Sequence, residues 1–508
     1  MVFPLRAPRG SLLLICLLAL LATVSYSQNQ PNSQNQPNLE NGPYSSGVLQ
    51  AHALATGKIQ PADTVFPESE NPLVITCSPG PCAFPNSQAS KGPKPVNEDP
   101  IATNPNNPLQ LITGGNDYNC HTIQGYYTSN DGGSTWLQSC GVPLKGLKGL
   151  GDPIVAYDLN NTVYRGGINA DSQGFPTFSY IVVSSSTDNG KHWSKPVKAV
   201  PNLLGYMADK PWMAIDTNLN SPRKNTIYVS ATQFDIGSGS QISVSRSTDG
   251  GQTWATKAVD AKQHSPSNVD QFSDLAIGSD GTVYVSWMRC QATGPTDDCG
   301  GSTATMYVSK STDGGKTWST PVAANQVKMA PDTCGEYYGC LPNTKERVSN
   351  IPVIAIDASG GAHNGKLYLI DYTWTGSYMM VQVASSTDGG ATWTGGVPVA
   401  PASAKHDQFF QWISVSSTGV VGATWLDRRN DPSNIDYDAY GAGSKDFGKT
   451  YPNQKLSTNI SNPNNDGFRG TFMGDYTGNA WAGGSLYASW MDTSNGAVSV
   501  DMVGGLLP

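Results

Sequence analysis

Ser129-Asn130-Asp131-Gly132-Gly133-Ser134-Thr135-Trp136 is the stretch whose reading decides the fold. A serine, an aspartate two residues on, one or two glycines and a terminal tryptophan make a tight turn, with the carboxylate accepting backbone N–H groups and the glycines taking positive φ. The pattern S-x-D-x-G-x-x-W returns from Ser186 to Trp193, Ser247 to Trp254, Ser311 to Trp318 and Ser386 to Trp393, and a worn copy runs from Ser444 through Asp446 and Gly448 to Tyr451. The aspartates, Asp131, Asp188, Asp249, Asp313, Asp388 and Asp446, are spaced by 57, 61, 64, 75 and 58 residues. Each unit therefore has room for four strands and their turns.

Working outward, each turn is preceded by two further repeated pieces. The first is a short apolar strand, often begun by an acidic residue and a proline, as in Asp99-Pro100-Ile101-Ala102, Asp152-Pro153-Ile154-Val155 and Asp209-Lys210-Pro211-Trp212, with variants from Asn350, Asp270, Asp407 and Asp475. The second alternates large apolar and small residues, as in Val283-Tyr284-Val285-Ser286-Trp287, the period-two signature of a strand. A unit reads strand A, strand B, strand C, turn, strand D, and sheets repeated radially in this way make an all-β propeller. There are seven A–B starts and six turns, because the last unit stops after Val498 to Val503. The sequence predicts seven four-stranded blades, or six if the first or last unit is not a full sheet, closed by an N-terminal strand near Pro72 to Thr76.

The chain begins with Arg6, Arg9, an apolar run from Leu12 to Val24 and small residues at Ser25 and Ser27. This reads as a secretory signal over 1–27, with Cys16 inside it. Residues 28–70, with S-Q-N-Q-P-N repeated from Ser27 and Ser33, read as a low-complexity disordered leader, and 71–508 as the propeller. No later stretch approaches the length of a membrane span, so an extracellular or periplasmic protein, monomeric, is expected. The remaining eight cysteines fall into sequence-local couples, Cys77 with Cys82, Cys120 with Cys140, Cys290 with Cys299 and Cys334 with Cys340, expected as disulfides because an exported chain with an even count favours them. A formal charge of −8 argues against nucleic acid as a partner. With 55 Gly, 35 Pro and 14% charged residues, the composition suits short strands and turns.

Several motifs carry no chemistry. Gly443 to Thr450 satisfies G-x-x-x-x-G-K-[ST], but Tyr451-Pro452-Asn453 follows where a phosphate loop must open a helix. Neither G-x-S-x-G nor H-E-x-x-H occurs, and no histidine lies at zinc-ligand spacing from the cysteine couples.

In a propeller the starts of strands A and the ends of strands B ring the central channel. That rule gathers Asp99, Asp152, Asp209, Asp270, Asp407 and Asp475 at the A starts, Arg165, Arg289, Asp371, Asp427, Arg428, Arg429 and Asp492 at the B ends, and Arg347 and Arg469 ahead of A strands. Of ten arginines, two lie in the signal and six on this one face. Either these residues form a site, or each acid pairs with a neighbouring arginine and locks blades together.

The turns, the D-x-P strand starts and the stretch from Asp407-Gln408-Phe409-Phe410 through Trp425-Leu426-Asp427-Arg428-Arg429-Asn430-Asp431-Pro432 resemble bacterial secreted proteins with Asp-box (BNR) repeats of the sialidase superfamily, over roughly residues 95 to 503. The resemblance implies a glycosidase acting on terminal sugars, with arginines clamping a substrate carboxylate, a tyrosine nucleophile assisted by glutamate, and an aspartate acid/base. Carried onto this chain, it points to Arg289, Arg428 and Arg469 as clamps, with Arg347, Asp407 and Asp475 beside them. It points to Asp209 as acid/base and to Tyr337 or Tyr338 with Glu336 as nucleophile and helper. The F/Y-R-I-P strand that supplies the first sialidase arginine is absent; Asn350 stands where it belongs, with Arg347 three residues earlier. Two other functions fit the same mouth: a non-catalytic propeller binding glycan or protein, and a lyase on acidic polysaccharides using Tyr or His, with His406 beside Asp407. No cofactor is expected, calcium among the acidic loops being the one candidate.

Overall fold

A computed structural model describes residues 42–62, 81–237, 239–264, 268–291 and 298–508. Seven antiparallel sheets follow one another along the chain. Blade I runs from Val96 to Cys140, blade II from Lys148 to Val200, blade III from Met207 to Ala258 and blade IV from Val269 to Lys328. Blade V runs from Val353 to Pro398, blade VI from Gln408 to Lys455, and blade VII from Gly478 to Leu507. The outer strand of blade VII is Cys82–Gln88, antiparallel to Val500–Leu507, so an early segment closes the ring. The expected closing strand, Pro72 to Thr76, lies outside the described residues; the closure is made by the segment just after it.

The second strand of each blade is buried on both faces, which is why its sequence carries large apolar residues and small ones with few charges. In blade IV, Val283, Val285 and Trp287 pack against Tyr228, Ile242 and Val244 of blade III. Small hydroxyls stitch neighbouring blades: Ser286 Oγ donates to Pro352 O at 2.6 Å, and Thr477 Oγ1 to Phe410 O at 2.7 Å. The ring closes where Ser489 of blade VII donates to the Asp99 carbonyl of blade I.

Each Asp box is the turn from third to outer strand. Ser129 Oγ donates to Asp131 and accepts the Gly133 N–H at 2.8 Å, while Asp131 accepts Thr135 N–H and Oγ1–H at 2.9 and 2.6 Å. The pattern repeats at Asp249, Asp313, Asp388 and Asp446, and His192 takes the threonine's place at Asp188. Those bonds hold all six carboxyls below the ordinary aspartate range. They are turn anchors at the end opposite the strand A starts. Gly443 to Thr450 forms the last of them, as the failed phosphate-loop reading requires.

Disulfides join Cys120–Cys140, Cys290–Cys299 and Cys334–Cys340. The Cys77–Cys82 pairing cannot be followed, because Cys77 falls outside the described residues. No helix of the described residues is long and apolar enough to cross a membrane.

Within the span expected as a leader, residues 42–62 include a helix, Ser46–Ala55, capped by Ser45, whose side chain accepts from Val48 N–H. Its apolar side chains are Val48, Leu49, Leu54 and three alanines. They suffice because Val48 and Ala51 are buried against the propeller and Tyr44 packs at 5.0 Å from Phe234 and 6.1 Å from Tyr206. Residues 28–41 and 63–70 of that leader, and the signal before it, lie outside the described residues.

Candidate active site at the propeller mouth

The innermost strands carry a repeated irregularity that builds the site. At Glu98, Asp152, Lys210, Phe272 and Phe410 the chain takes positive φ, between 42° and 64°. The ladders of blades III, IV and VI shift register at that point, between Asp209 and Trp212, Gln271 and Asp274, and Phe409 and Trp412. In blades I and II it splits the inner strand in two. A left-handed residue in a bulge re-aims its side chain, and here the polar ones meet on the axis.

Lys210 is fully buried, its ammonium 3.8 Å from the centre of the Tyr476 ring. The carboxyls of Asp152, Glu98, Asp475 and Asp274, from four other blades, act on it; burial, the larger effect, lowers its pKa. Glu98 accepts from Asn116 Nδ2 at 2.8 Å and from Asp475 N–H at 3.1 Å. Burial first, and the charge of Asp475 next, push Glu98 up to about 8. Asp274 rises to about 7, and Asp152 and Asp209 also rise, each mainly through burial.

Above this cluster lies Arg347. Its guanidinium donates to Asp475 Oδ2 at 2.8 Å and to Tyr44 O at 2.9 Å, and stands 5.0 Å over the Tyr338 ring. Residues 43–46 fill the space between. Ser45 N–H donates to Asp209 Oδ2 at 2.7 Å, Ser45 Oγ to Asp152 Oδ1 at 3.1 Å, and Ser46 N–H to Asp475 Oδ2 at 2.8 Å. Pro43 O accepts from Tyr338 OH at 2.7 Å and from Gln271 Nε2 at 2.9 Å. Beside the helix a cavity of about 260 Å³ is lined by Glu336, Arg347, Thr471 and Phe472 on the propeller side and by Ser46, Gln50 and His52 on the other. Glu336 is only partly buried, and that burial, opposed by Arg347, pushes it up to about 7.

Of the expected site residues, the structure brings together Asp209, Glu336, Tyr338, Arg347 and Asp475, with Tyr337 packed edge-on against Tyr338 at 4.9 Å. The arginine trio does not form. Arg289 pairs with Asp260 and with Asp270 at 2.7 Å, inside and beside blade IV. Arg428 is fully buried; it donates to Pro342 O and Asn434 O and lies 3.4 Å from Asp407. Asp407 in turn caps Met379 N–H, tying blade VI to blade V. Arg469 is exposed in a left-handed turn. No carboxylate is shared among the three. Arg165 stacks on Trp193 of its own blade at 4.1 Å and donates to Ser139 of blade I at 3.0 Å, whereas Arg429 stacks on Tyr440 at 4.1 Å within blade VI, so both are engaged in packing the blades. Sequence reasoning passed over Glu98, Lys210, Asn116 and Gln271; the one available signal was that Glu98 and Lys210 adjoin Asp99 and Asp209 at the strand A starts.

Among the described residues, one group of His, Cys, Asp and Glu brings its ligand atoms within 4.8 Å, namely Asp332, Cys334 and Cys340. Its two sulfurs are already joined to each other.

Residues 127–335 match the family model described as BNR repeat-like domain. Among solved structures, the chain is similar to one described as Hadza microbial sialidase Hz136, at 15% identity over 72% of this chain and 66% of that one, with a TM-score of 0.43. It is similar to a protein of unknown function from Dyadobacter fermentans, at 14% identity over 84% and 99%, TM-score 0.45. It is also similar to the α-L-arabinofuranosidase Arb93A from Fusarium graminearum, at 14% identity over 70% and 92%, TM-score 0.44. No curated protein matches the sequence significantly.

Proposed function

We propose that this chain, whose residues 127–335 match a BNR repeat-like domain, is an exported glycoside hydrolase acting on terminal sugars of glycans, with neutral sugars preferred to sialic acids. The observation that carries the reading is Glu336, facing a cavity beside Arg347 and held up to about 7. A carboxyl with that pKa keeps a proton near neutrality and can give it to a departing glycosidic oxygen. Water then attacks the anomeric carbon, and its proton passes to a carboxylate of the mouth, of which Asp209 is the candidate. Asp152, Asp475 and Gln271 are suited to sugar hydroxyls. Carboxyls outnumber cations here, Glu98, Asp152, Asp209 and Asp475 against Lys210 and Arg347, and one guanidinium already paired to Asp475 is a poor clamp for a sialic acid carboxylate. The disulfides suit a chain that matures in an oxidising compartment.

The test is hydrolysis of a panel of chromogenic glycosides, arabinofuranosides, hexosides and sialosides, by the wild type and Glu336→Gln. Turnover of a neutral glycoside that falls by roughly 10²-fold or more in kcat in the variant is expected. Retained glycan binding with no turnover of any substrate favours the binding propeller instead.

A further inference from the structure

The groups that the proposed reading gives to a substrate are already engaged by the chain's own residues 43–46. Two backbone N–H groups and one hydroxyl donate to Asp209, Asp475 and Asp152. Two carbonyls accept from Tyr338, Gln271 and Arg347. Donors toward carboxylates and acceptors toward Tyr, Gln and Arg are the pattern that a hydroxyl-bearing ligand presents. The helix that follows is seated closely: a Cβ on Gly47 would lie 2.1 Å from Asp152 Oδ1 and 3.3 Å from Asn116 Nδ2, so this approach needs glycine. Tyr44, Ser45 and Ser46 are almost wholly buried by it.

We infer that residues 43–52 are an intramolecular plug, a competitive occupant whose main chain stands in for a hydroxyl-rich ligand, and that the mouth takes its ligand only after the plug withdraws. The identity of that ligand rests on the proposed function; the plug itself rests on its own contacts. A tethered segment acts at an effective concentration in the millimolar range, so even weak intrinsic affinity keeps the mouth filled. The blades do not use the plug for their own ladders, so its withdrawal leaves the propeller's strand pairing intact.

The experiment uses the full chain and a variant, Gly47→Val, whose side chain cannot fit against Asp152. The probe is a fluorescein-labelled synthetic peptide of residues 42–58. Three readouts are taken: hydrogen exchange of the amides at residues 44–48, binding of the peptide in trans, and turnover of the chromogenic glycosides. In Gly47→Val the amides lose protection, the peptide binds where it does not bind wild type, and turnover rises about tenfold or more, as expected for removal of a tethered competitor. Ala55→Val, on the exposed end of the same helix, behaves as wild type. Peptide binding with deprotected amides but no turnover sustains the plug and sinks the hydrolase reading. Amides as protected in Gly47→Val as in wild type, or deprotected amides with no peptide binding and no gain in turnover, overturn the plug. Tyr44→Ala, which empties the seat between Tyr206 and Phe234, is read in the same way if Gly47→Val does not fold.

Discussion

Replacing Arg347 by methionine keeps most of the side-chain volume and removes the guanidinium. In the wild type that group is 3% exposed and faces the fully buried side chain of Asp475 at 2.8 Å. Removing one partner of a buried pair costs about 3–5 kcal/mol, because a carboxylate is left desolvated without its counter-charge. Asp475 keeps the Ser46 N–H and the nearby Lys210 ammonium, which soften the loss without replacing the direct ion pair. The double change Arg347→Met with Asp475→Asn removes both charges and keeps an acceptor for Ser46, so the residual cost falls to about 1–2 kcal/mol, the scale of one imperfect hydrogen bond. Urea unfolding of the wild type, both single variants and the double variant measures this, with the m-value required to stay constant. A single-variant cost below about 1 kcal/mol, the size of an exposed pair, refutes the claim that the mouth is desolvated. So does a double variant no more stable than the worse single one.

Burial holds Glu98 near 8 and Asp274 and Asp371 near 7, whereas the unfolded carboxyls release their protons in the ordinary range. The folded state therefore binds more protons than the unfolded one between those limits, and stability falls as pH rises from about 4.5 to about 8. Urea midpoints across that range check it, and Asp371→Asn shallows the slope; a midpoint that climbs with pH contradicts the assignment. Ser311→Ala leaves the buried Gly315 N–H without its acceptor at 2.7 Å and is expected to cost about 1–3 kcal/mol in the same assay. Phe84→Ala, in the closing strand and packed 5.2 Å from Tyr487, is expected to cost about 3–5 kcal/mol and to raise hydrogen exchange along Val500–Leu507 before the other blades.

The blades were legible because the Asp box is local: serine, aspartate and glycine within five residues close on one another, and nothing distant is needed to read them. The mouth was legible only in outline. Asp99, Asp152 and Asp209 look equivalent in the sequence, yet against the left-handed residue of each inner strand they sit one after, at, and one before it. Asp99 faces Asp501 and Glu98, whereas Asp152 and Asp209 reach the plug. The arginine bias toward one end is real, but Arg289 and Arg428 are spent on Asp270 and Asp407. Nothing local marks Ser45 or Ser46, whose partners lie 164 and 429 residues away.

Because Cys82–Gln88 has no partner until Val500–Leu507 exists, one of the first strands to leave the ribosome must wait for one of the last. Through most of synthesis it presents an unpaired edge, open to the wrong neighbour. The growing chain can complete its interior blades in order, but the circle is joined only once Val500–Leu507 has emerged. Loss of that strand should therefore turn this protein toward edge-to-edge aggregation, and not toward a smaller ring.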